Sequence, residues 1–278
     1  MLVALGELRR DRGSVDELLR ETSRSARAMR GPAPNDDFRP GGSSSLGASM
    51  RHLGRCEATY QEVIMPQVRV HNFSVSLDGF GTGEGQALDA PFGHAGTRLH
   101  EWFFATRMFH AMQGQPGGST GVDDAFASAW EPGIGAEIMG RGKFAPHHGL
   151  RPDQEWNGWW GDNPPFHTPV FVLTRHPRPS VQMNGGTTFH FLSASPAQAL
   201  AQARQAAAGA DIRIGGGPST IREFLAANLI DYLHIVVVPI VLGRGERLWD
   251  GLEALEDHFQ IEAVNSPSGV THVILSRR

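Results

Sequence analysis

The sequence contains a single cysteine, Cys56, and no apolar run approaching the roughly 20 residues that span a bilayer. One cysteine excludes an internal disulfide framework and any zinc or iron–sulfur site that needs several cysteines. The first residues also lack an uninterrupted apolar segment of signal-peptide length. We therefore expect a cytoplasmic protein with no membrane partner.

The sequence has no excess of positive charge either, because 25 Lys and Arg stand against 29 Asp and Glu, a net charge of −4. Nucleic acids and anionic membranes favour basic surfaces, so neither is an expected partner. Only one basic residue, Lys143, is a lysine, a bias that we attribute to genome composition. With 40% apolar residues among 278, the chain can bury a core, and its expected partner is a small-molecule substrate.

Residues 1–66 differ in composition from the rest of the chain. They carry ten arginines and nine acidic residues, with Gly-, Pro- and Ser-rich stretches at 31–37 and 40–45. Such a segment buries too little apolar surface to offset the entropy of ordering, apart from a marginal helix at 15–29. One interpretation is a regulatory or docking arm. The other is a flexible extension, or a translated leader upstream of a true start near Met65.

From residue 67 onward, predicted strands and helices alternate. Strands are indicated by β-branched and apolar runs, and helices by apolar residues at helical spacing. The strands are predicted at 68–75, 137–139, 169–174, 187–192, 211–214, 232–241, 259–264 and 270–275. The helices are predicted at 97–112, 122–130, 196–208 and 220–228. This order predicts an α/β domain over 67–278, with a central, mostly parallel sheet, helices on both faces and a C-terminal antiparallel hairpin.

Three familiar motifs are present only in part. Residues 117–121 match G-x-S-x-G, but a loop precedes the serine instead of a strand, which excludes a hydrolase elbow. His100 and Glu101 open the zincin pattern H-E-x-x-H, yet Phe104 stands where the second histidine is needed, so no metal site is expected. The alternating glycines at 79–85 do not fit G-x-G-x-x-G, and no helix follows them.

Three predicted strand ends carry groups suited to phosphate. A glycine-rich strand end before a helix exposes backbone N–H groups at the positive end of the helix dipole, although a structural tight turn is the alternative. Guanidinium and hydroxyl groups at neighbouring strand ends add charged and neutral donors. The residues are Gly215, Gly216, Gly217, Ser219 and Thr220 at the first end, Gly140 and Arg141 at the second, and Thr174 and Arg175 at the third. Such ends share one edge of a parallel sheet, so we expect an extended ligand with several phosphates, such as a dinucleotide.

The order of these segments resembles that of dihydrofolate-reductase-like proteins. The segments are Ser76-Leu77-Asp78-Gly79, Ile138-Met139-Gly140-Arg141, Val172-Leu173-Thr174-Arg175 and Ile214-Gly215-Gly216-Gly217. Residues 231–234, 238–239 and 242–245 resemble the branch that includes the C-terminal reductase domain of bacterial riboflavin biosynthesis. The resemblance covers roughly 67–276.

The resemblance implies NADPH as the hydride donor and assigns roles by position. Gly140 and Arg141 would lie at the pyrophosphate, and Thr174 and Arg175 at the adenosine ribose and its 2′-phosphate. The turn Gly215-Gly216-Gly217, where the family often has a cis Gly–Gly bond, would pack against the cofactor, with donors from Ser219 and Thr220 at the following helix start. Asp78 is the candidate proton donor, with water as the alternative, and Ser76 and Trp102 are candidate substrate contacts.

One position departs from the folate reductases. Those enzymes carry an acidic residue just ahead of a Trp-Phe pair on the first helix, to hold the pterin ring. Here Trp102-Phe103 is present, but Leu99 takes the place of the acid. Leucine cannot make the charged hydrogen bonds that a pterin needs, and Glu101 is rotated to another side of the helix. We therefore expect a substrate other than folate.

The loop at 155–166 combines four aromatic residues with prolines and glycines. It is either a lid that covers the substrate, or a satellite hydrophobic cluster or dimer contact.

The sequence therefore predicts an NADPH-dependent reductase that transfers hydride to a small heterocyclic or carbonyl-type substrate, such as a pyrimidine of the riboflavin pathway. It is expected to form a homodimer. The alternatives are a non-catalytic nucleotide-binding protein of the same fold and a multimeric scaffold built on the aromatic loop.

Overall fold

A computed structural model describes residues 65–146 and 156–278, and its centre is a nine-stranded sheet. The strands are β1 (Val68–Ser76), β3 (Ile134–Gly140), β4 (Pro169–Leu173), β5 (Val181–Gln182), β6 (Thr188–Leu192), β7 (Asp211–Ile214), β8 (Tyr232–Val238), β10 (Phe259–Asn265) and β11 (Thr271–Arg277). Two further strands, β2 (Phe80–Thr82) and β9 (Glu246–Arg247), form a separate ribbon. The expectations for residues 1–64 lie outside the described residues.

The strand order across the sheet is β10-β11-β8-β1-β7-β3-β4-β6-β5. The six strands from β8 to β6 are mutually parallel, whereas β10, β11 and β5 pair antiparallel at the two edges. The expected mixed α/β sheet with a C-terminal antiparallel hairpin is therefore confirmed. Because parallel strands share one direction, β1, β3, β4 and β7 end at the same edge of the sheet.

Six α-helices lie in the described part of the chain: α1 (Glu101–Phe104), α2 (Arg107–Met112), α3 (Val122–Ser128), α4 (Arg141–Phe144), α5 (Pro196–Ala207) and α6 (Pro218–Ala226). The start of α5 is fixed by a capping box, in which Ser195 accepts from the backbone of Gln198 and the Gln198 side chain accepts from the backbone of Ser195. Proline at the first helical position favours the starts of both α5 and α6. No helix among these residues is long and apolar enough to cross a membrane.

Alternating residues of the central strands pack into cores on opposite faces of the sheet. On β4, Phe171 faces the core to which α5 and α6 contribute, whereas Val170 and Val172 face a second core around Phe144 of α4. A third core lies under α1 and α3 and includes Trp102. Burying one such large apolar side chain contributes roughly 1.5–3 kcal/mol, which explains why both faces of this sheet are covered by helices or loops.

The predicted helix at 97–112 is in fact two short helices, α1 and α2, interrupted at Thr106. Thr106 has an extended backbone (ψ 153°), and its side chain caps α2 by accepting from Phe109 N at 3.1 Å. Ser119 pairs with both sides of the break, since Ser119 N donates to Ala105 O and Arg107 N donates to Ser119 O. The apolar spacing across 97–112 does not reveal this interruption, because a threonine cap leaves the pattern almost unchanged.

Candidate active site

A cleft of about 860 Å³ lies at the carboxyl ends of β3, β4 and β7 and extends across β1. Its strand-end wall comprises the residues predicted to bind the cofactor: Gly140, Arg141, Thr174, Arg175, Gly215, Gly216, Gly217, Ser219 and Thr220. Its aromatic wall comprises His71, Asn72, His100, Trp102, Phe104 and Trp130. The structure thus brings all nine predicted cofactor residues to one cleft.

The glycines of the strand-end wall allow two strand ends to close on each other. Gly140 N donates to Gly216 O at 2.8 Å, and the Gly216–Gly217 peptide is cis, as the resemblance implies. A Cβ on Gly140 would lie 2.3 Å from Thr220 Oγ1, and a Cβ on Gly215 would lie 2.2 Å from Glu137 Oε1. A side chain at either position would therefore collide with its neighbours, and the glycines leave a bare backbone facing the cleft.

The predicted phosphate-binding side chains surround this bare backbone. The exposed Arg175 has no hydrogen bond or ion pair with the described residues, so its guanidinium is available to an anion. Thr174 Oγ1 accepts from His176 N at 3.1 Å, which folds the turn after β4. Arg141 donates to the carbonyl oxygens of Ala145 and Pro146, both at 3.0 Å, and still lines the cleft. At the start of α6, backbone N–H groups without helical acceptors add further donors.

A buried ion triad lies beneath the glycine turn and was not anticipated from the sequence. Glu137 of β3 pairs with Arg213, its register partner on β7, and accepts from Lys143 Nζ at 2.8 Å. Burial alone would raise the pKa of Glu137, but the charges of Arg213 and Lys143 outweigh it and hold that pKa below its usual range. Burial lowers the pKa of Lys143, partly opposed by Glu137. Lys143 and Arg213 line the cleft, whereas Glu137 does not.

Asp78 and Ser76, the candidate proton donor and a candidate substrate contact, do not line the cleft. The Asp78 carboxylate accepts from Ser76 Oγ at 2.6 Å, Leu242 N at 3.1 Å and Gly243 N at 2.7 Å. Desolvation would raise the pKa of Asp78, but these hydrogen bonds lower it to about 2. A carboxyl with this pKa holds no proton to donate near neutral pH. These contacts argue against the proton-donor role and favour a structural one, the joining of the β1 turn to the loop after β8.

Trp102 does line the cleft, and its Nε1 donates to Ser74 Oγ of β1 at 2.9 Å. Leu99, which takes the place of the pterin-binding acid, is fully buried in the core under α1. Glu101 is exposed and does not line the cleft, which agrees with its expected rotation away from the site. His100, the residue before Glu101, does line the cleft.

The aromatic loop, described from residue 156 onward, packs against the sheet. Trp156 Nε1 donates to Phe144 O at 2.8 Å, and Trp160 lies edge-on to Phe166 at 4.8 Å between ring centroids. Both tryptophans belong to the hydrophobic cluster over β4 and β6, which favours the satellite-cluster interpretation of this loop. Trp160, Pro165 and Phe166 also reach the cleft beside Lys143.

Several cleft residues had no motif to mark them. His71, Asn72 and Trp130 come from β1 and the turn after α3, and only the fold brings them together. Glu137 and Arg213 can be identified from the sequence, because each is a charged residue inside a short apolar strand. A charged side chain buried in such a strand needs a partner of opposite charge. Among the described residues, no group of three or more His, Cys, Asp and Glu could hold a metal ion.

Comparison with solved structures finds chains of low sequence identity to this one. A protein from Shewanella sp. PV-4 assigned to riboflavin biosynthesis is 22% identical, with 76% of this chain and 99% of that chain covered and a TM-score of 0.47. A diaminohydroxyphosphoribosylaminopyrimidine deaminase/5-amino-6-(5-phosphoribosylamino)uracil reductase from Thermotoga maritima is 14% identical, with coverages of 77% and 57% and a TM-score of 0.43. Dihydrofolate reductase from Enterococcus faecalis is 14% identical, with coverages of 76% and 96% and a TM-score of 0.39. No curated protein matches the chain significantly.

The family comparison is more specific. Residues 68–273 match the model of the RibD C-terminal domain, which is most of the described chain from β1 into β11. Members of this family typically use NADPH. The chain therefore belongs to the RibD C-terminal domain family, a family of NADPH-dependent reductases.

Proposed function

We propose that this protein is an NADPH-dependent reductase that transfers hydride to a small heterocyclic or carbonyl-type substrate. The observation that carries the proposal is the bare backbone of the strand-end wall. There Gly140 N donates a hydrogen bond to Gly216 O, and a Cβ on Gly140 or Gly215 would collide with a neighbouring side chain. Family membership supports the same cofactor. A pyrimidine related to those of riboflavin biosynthesis is the substrate that the family name suggests.

The residues around this surface fit the parts of NADPH. The start of α6, with Ser219 and Thr220, would donate to the pyrophosphate together with Arg141. Thr174 and Arg175 would bind the adenosine ribose and its 2′-phosphate, because a guanidinium forms strong charge-assisted hydrogen bonds with phosphate oxygens. When bound, the nicotinamide supplies the hydride, and the protein supplies orientation and electrostatics.

The reaction also needs a proton at the atom next to the carbon that receives hydride. Since Asp78 lies outside the cleft, Lys143 is the group that we propose for this role. Lys143 is one of the residues that line the cleft, its ammonium is held by Glu137 at 2.8 Å, and its pKa is lowered by burial. A general acid is most effective when its pKa is near the working pH, so a lowered pKa makes an ammonium a better proton donor at neutral pH.

The proposal is tested by replacing Arg175 with alanine. Losing hydrogen bonds to a charged phosphate, worth roughly 1.5–3 kcal/mol, should weaken NADPH binding about 10- to 100-fold. NADH has no 2′-phosphate, so its affinity should be nearly unchanged. Both dissociation constants are measured by nicotinamide fluorescence.

The matched control is Arg204→Ala, which removes an exposed arginine of α5 that does not line the cleft. This variant should bind both nucleotides as the unaltered protein does. Equal losses of NADPH and NADH affinity in Arg175→Ala would show that Arg175 does not recognise the 2′-phosphate.

A further inference from the structure

Strand β1 contains a bulge opposite His234 of β8. Two residues of β1, His71 and Asn72, lie opposite this one residue of β8. Asn72 has a φ of 56°, a left-handed conformation that is unusual for a residue other than glycine. His71, Asn72 and the following Phe73 all line the cleft. The contacts that hold this bulge therefore help to set the shape of the cleft.

A buried chain of hydrogen bonds joins the bulge to α3. The backbone N–H of Asn72 donates to His234 Nδ1 at 3.1 Å. His234 Nε2 lies 2.9 Å from Nδ1 of His272 on β11, and His272 Nε2 lies 2.8 Å from Oδ1 of Asp123 on α3. Both histidines are fully buried, so each ring nitrogen depends on its partner in the chain.

The chain has one direction, because its two ends differ chemically. A backbone N–H can only donate, so His234 Nδ1 carries the lone pair and the proton of His234 lies on Nε2. That proton is donated to His272 Nδ1, so the proton of His272 also lies on Nε2 and is donated to Asp123. Both imidazoles are therefore Nε2–H tautomers, and every nitrogen of the chain has a complementary partner.

The ionisation states agree with this direction. Burial lowers the pKa of His234 well below its ordinary value, and the neighbouring His272 lowers it further, so His234 is neutral at neutral pH. Burial alone would raise the pKa of Asp123, but hydrogen bonds from His272 and from two serine hydroxyls outweigh it and hold that pKa below its usual range. Asp123 is therefore an ionised acceptor at the end of the chain.

Aromatic packing holds the two imidazoles in place. Phe126 of α3 stacks on both rings, with centroid distances of 4.5 Å to His234 and 4.3 Å to His272, and Trp102 lies edge-on to His272 at 5.3 Å. Helix α3 thus carries both the carboxylate that orients the chain and a ring that packs against it.

The bulge also fixes where Phe73 lies. A Cβ on Gly216 of the glycine turn would lie 3.4 Å from the Phe73 ring, and a Cβ on Gly81 of β2 would lie 2.7 Å from it. The ring therefore packs directly against glycine backbone at both places. A shifted bulge would move this ring against one of them, because neither contact leaves free space.

We propose that His234, His272 and Asp123 are positioning residues, which lock the bulge of β1 and so keep Phe73 against the glycine turn. None of the three lines the cleft, and they act through Asn72. An effect on NADPH binding rests on the proposed function. The locking of the bulge does not, because it is measured without nucleotide.

The first test compares two replacements of His234 in the full chain without nucleotide. His234→Asn keeps an acceptor near the position of Nδ1 but packs less well, whereas His234→Leu keeps the apolar packing but has no acceptor. NMR measures hydrogen exchange of the Asn72 amide relative to the Val75 amide of the same strand. This ratio should rise about 2- to 12-fold in His234→Leu and stay near its original value in His234→Asn. A purely packing role predicts the reverse order.

The second test perturbs the far end of the chain. Asp123→Ala removes the acceptor that sets its direction, so His234 should gain a second tautomer with the proton on Nδ1, and Asn72 exchange should accelerate. Imidazole ¹⁵N spectra report the tautomers. The matched control is Asp124→Ala, because Asp124 is the next residue of α3, is also buried, and accepts from Met108 N at 2.7 Å outside the chain. The control should change neither observable.

Three results would overturn the locking of the bulge. They are a proton on His234 Nδ1 in the original protein, equal Asn72 exchange ratios in the two His234 variants, and the same tautomers and exchange in Asp123→Ala as in Asp124→Ala. Circular dichroism shows which variants fold, and if a His234 variant does not, the aspartate pair decides.

NADPH titrations distinguish this proposal from the proposed function. His234→Leu should bind NADPH at least about threefold more weakly than His234→Asn. Equal NADPH affinities in these two folded variants would overturn the positioning role. Absence of NADPH binding to the original protein would refute the reductase, and the exchange ratios would still decide whether the chain locks the bulge.

Discussion

Replacing Glu137 with glutamine should destabilise the domain strongly, because it removes the one negative charge of the buried triad. Glu137 is fully buried, the Arg213 side chain is 7% exposed and the Lys143 side chain is 29% exposed. Glutamine has nearly the same shape, so packing is preserved while two cations face a neutral amide. The effect therefore reports charge and not cavity formation.

The magnitude follows from the burial of the partners. Breaking a buried ion pair by removing one member costs about 3–5 kcal/mol, most of it here from Arg213, since solvent screens part of the Lys143 charge. For a domain of this size each kcal/mol lowers the melting temperature by roughly 2–4 °C, which gives a decrease of about 6–20 °C. Thermal and urea unfolding followed by circular dichroism measure both quantities.

The pH dependence of the stability difference provides a second, independent test of the role of Glu137. The pKa of Glu137 is lower in the folded state than in the unfolded chain. The contribution of Glu137 to the free energy of unfolding is therefore complete above its unfolded-state pKa of about 4.3. That contribution is lost as the pH falls through its folded-state pKa. The stability difference between the original protein and Glu137→Gln should thus be largest near neutral pH and should shrink in acid.

Two further variants sharpen this test. Adding Lys143→Met to Glu137→Gln should recover part of the lost stability, because one uncompensated cation is removed. The control Glu101→Gln alters an exposed carboxylate whose only described contact is the 3.3 Å hydrogen bond from Thr97. A Glu137→Gln protein within about 1 kcal/mol of the original, or no more destabilised than the control, would refute the reasoning.

Two other predictions concern the proton donor. Asp78→Asn should lower stability near neutral pH, by an amount that disappears as the pH falls from about 4 to about 2, while the NADPH dissociation constant stays within about twofold of its original value. A loss of NADPH affinity without a change in stability would contradict the structural role of this carboxylate. Lys143, the chain's one lysine, should react with trinitrobenzenesulfonate at lower pH than an ordinary lysine, and bound NADPH should protect it. Lys143→Arg measures the background from the amino terminus, and a reaction profile centred near the ordinary lysine pKa would remove Lys143 from the proposed role.

Local sequence patterns predicted most of the sheet. The apolar run of β8, the capped start of α5 and the glycine-rich end of β7 each depend on neighbouring residues, which a sequence displays directly. The strand-end wall was predictable for the same reason, since a parallel sheet brings such ends to one edge. The sequence also shows that Leu99 takes the place of the acidic residue of the folate reductases, and in the structure this leucine lies in the core.

The remainder of the site depends on contacts between distant residues. Asp78 follows a strand as many catalytic acids do, but its backbone partners Leu242 and Gly243 lie 164 and 165 residues away in the sequence. Glu137 and Arg213 are 76 residues apart and become partners only through the register of β3 and β7. The sequence alone shows Lys143 only as a cation near a predicted phosphate site. In the structure its ammonium donates a hydrogen bond to the buried carboxylate of Glu137.

The most direct measurement of the central claim is a titration of the full chain with NADPH and with NADH, followed by nicotinamide fluorescence and the thermal midpoint. The account predicts saturable NADPH binding, a midpoint that rises with NADPH concentration by mass action, and weaker binding of NADH. Failure of both nucleotides to bind, with the protein folded and its midpoint unmoved, would contradict it. The glycine strand ends would then be structural turns.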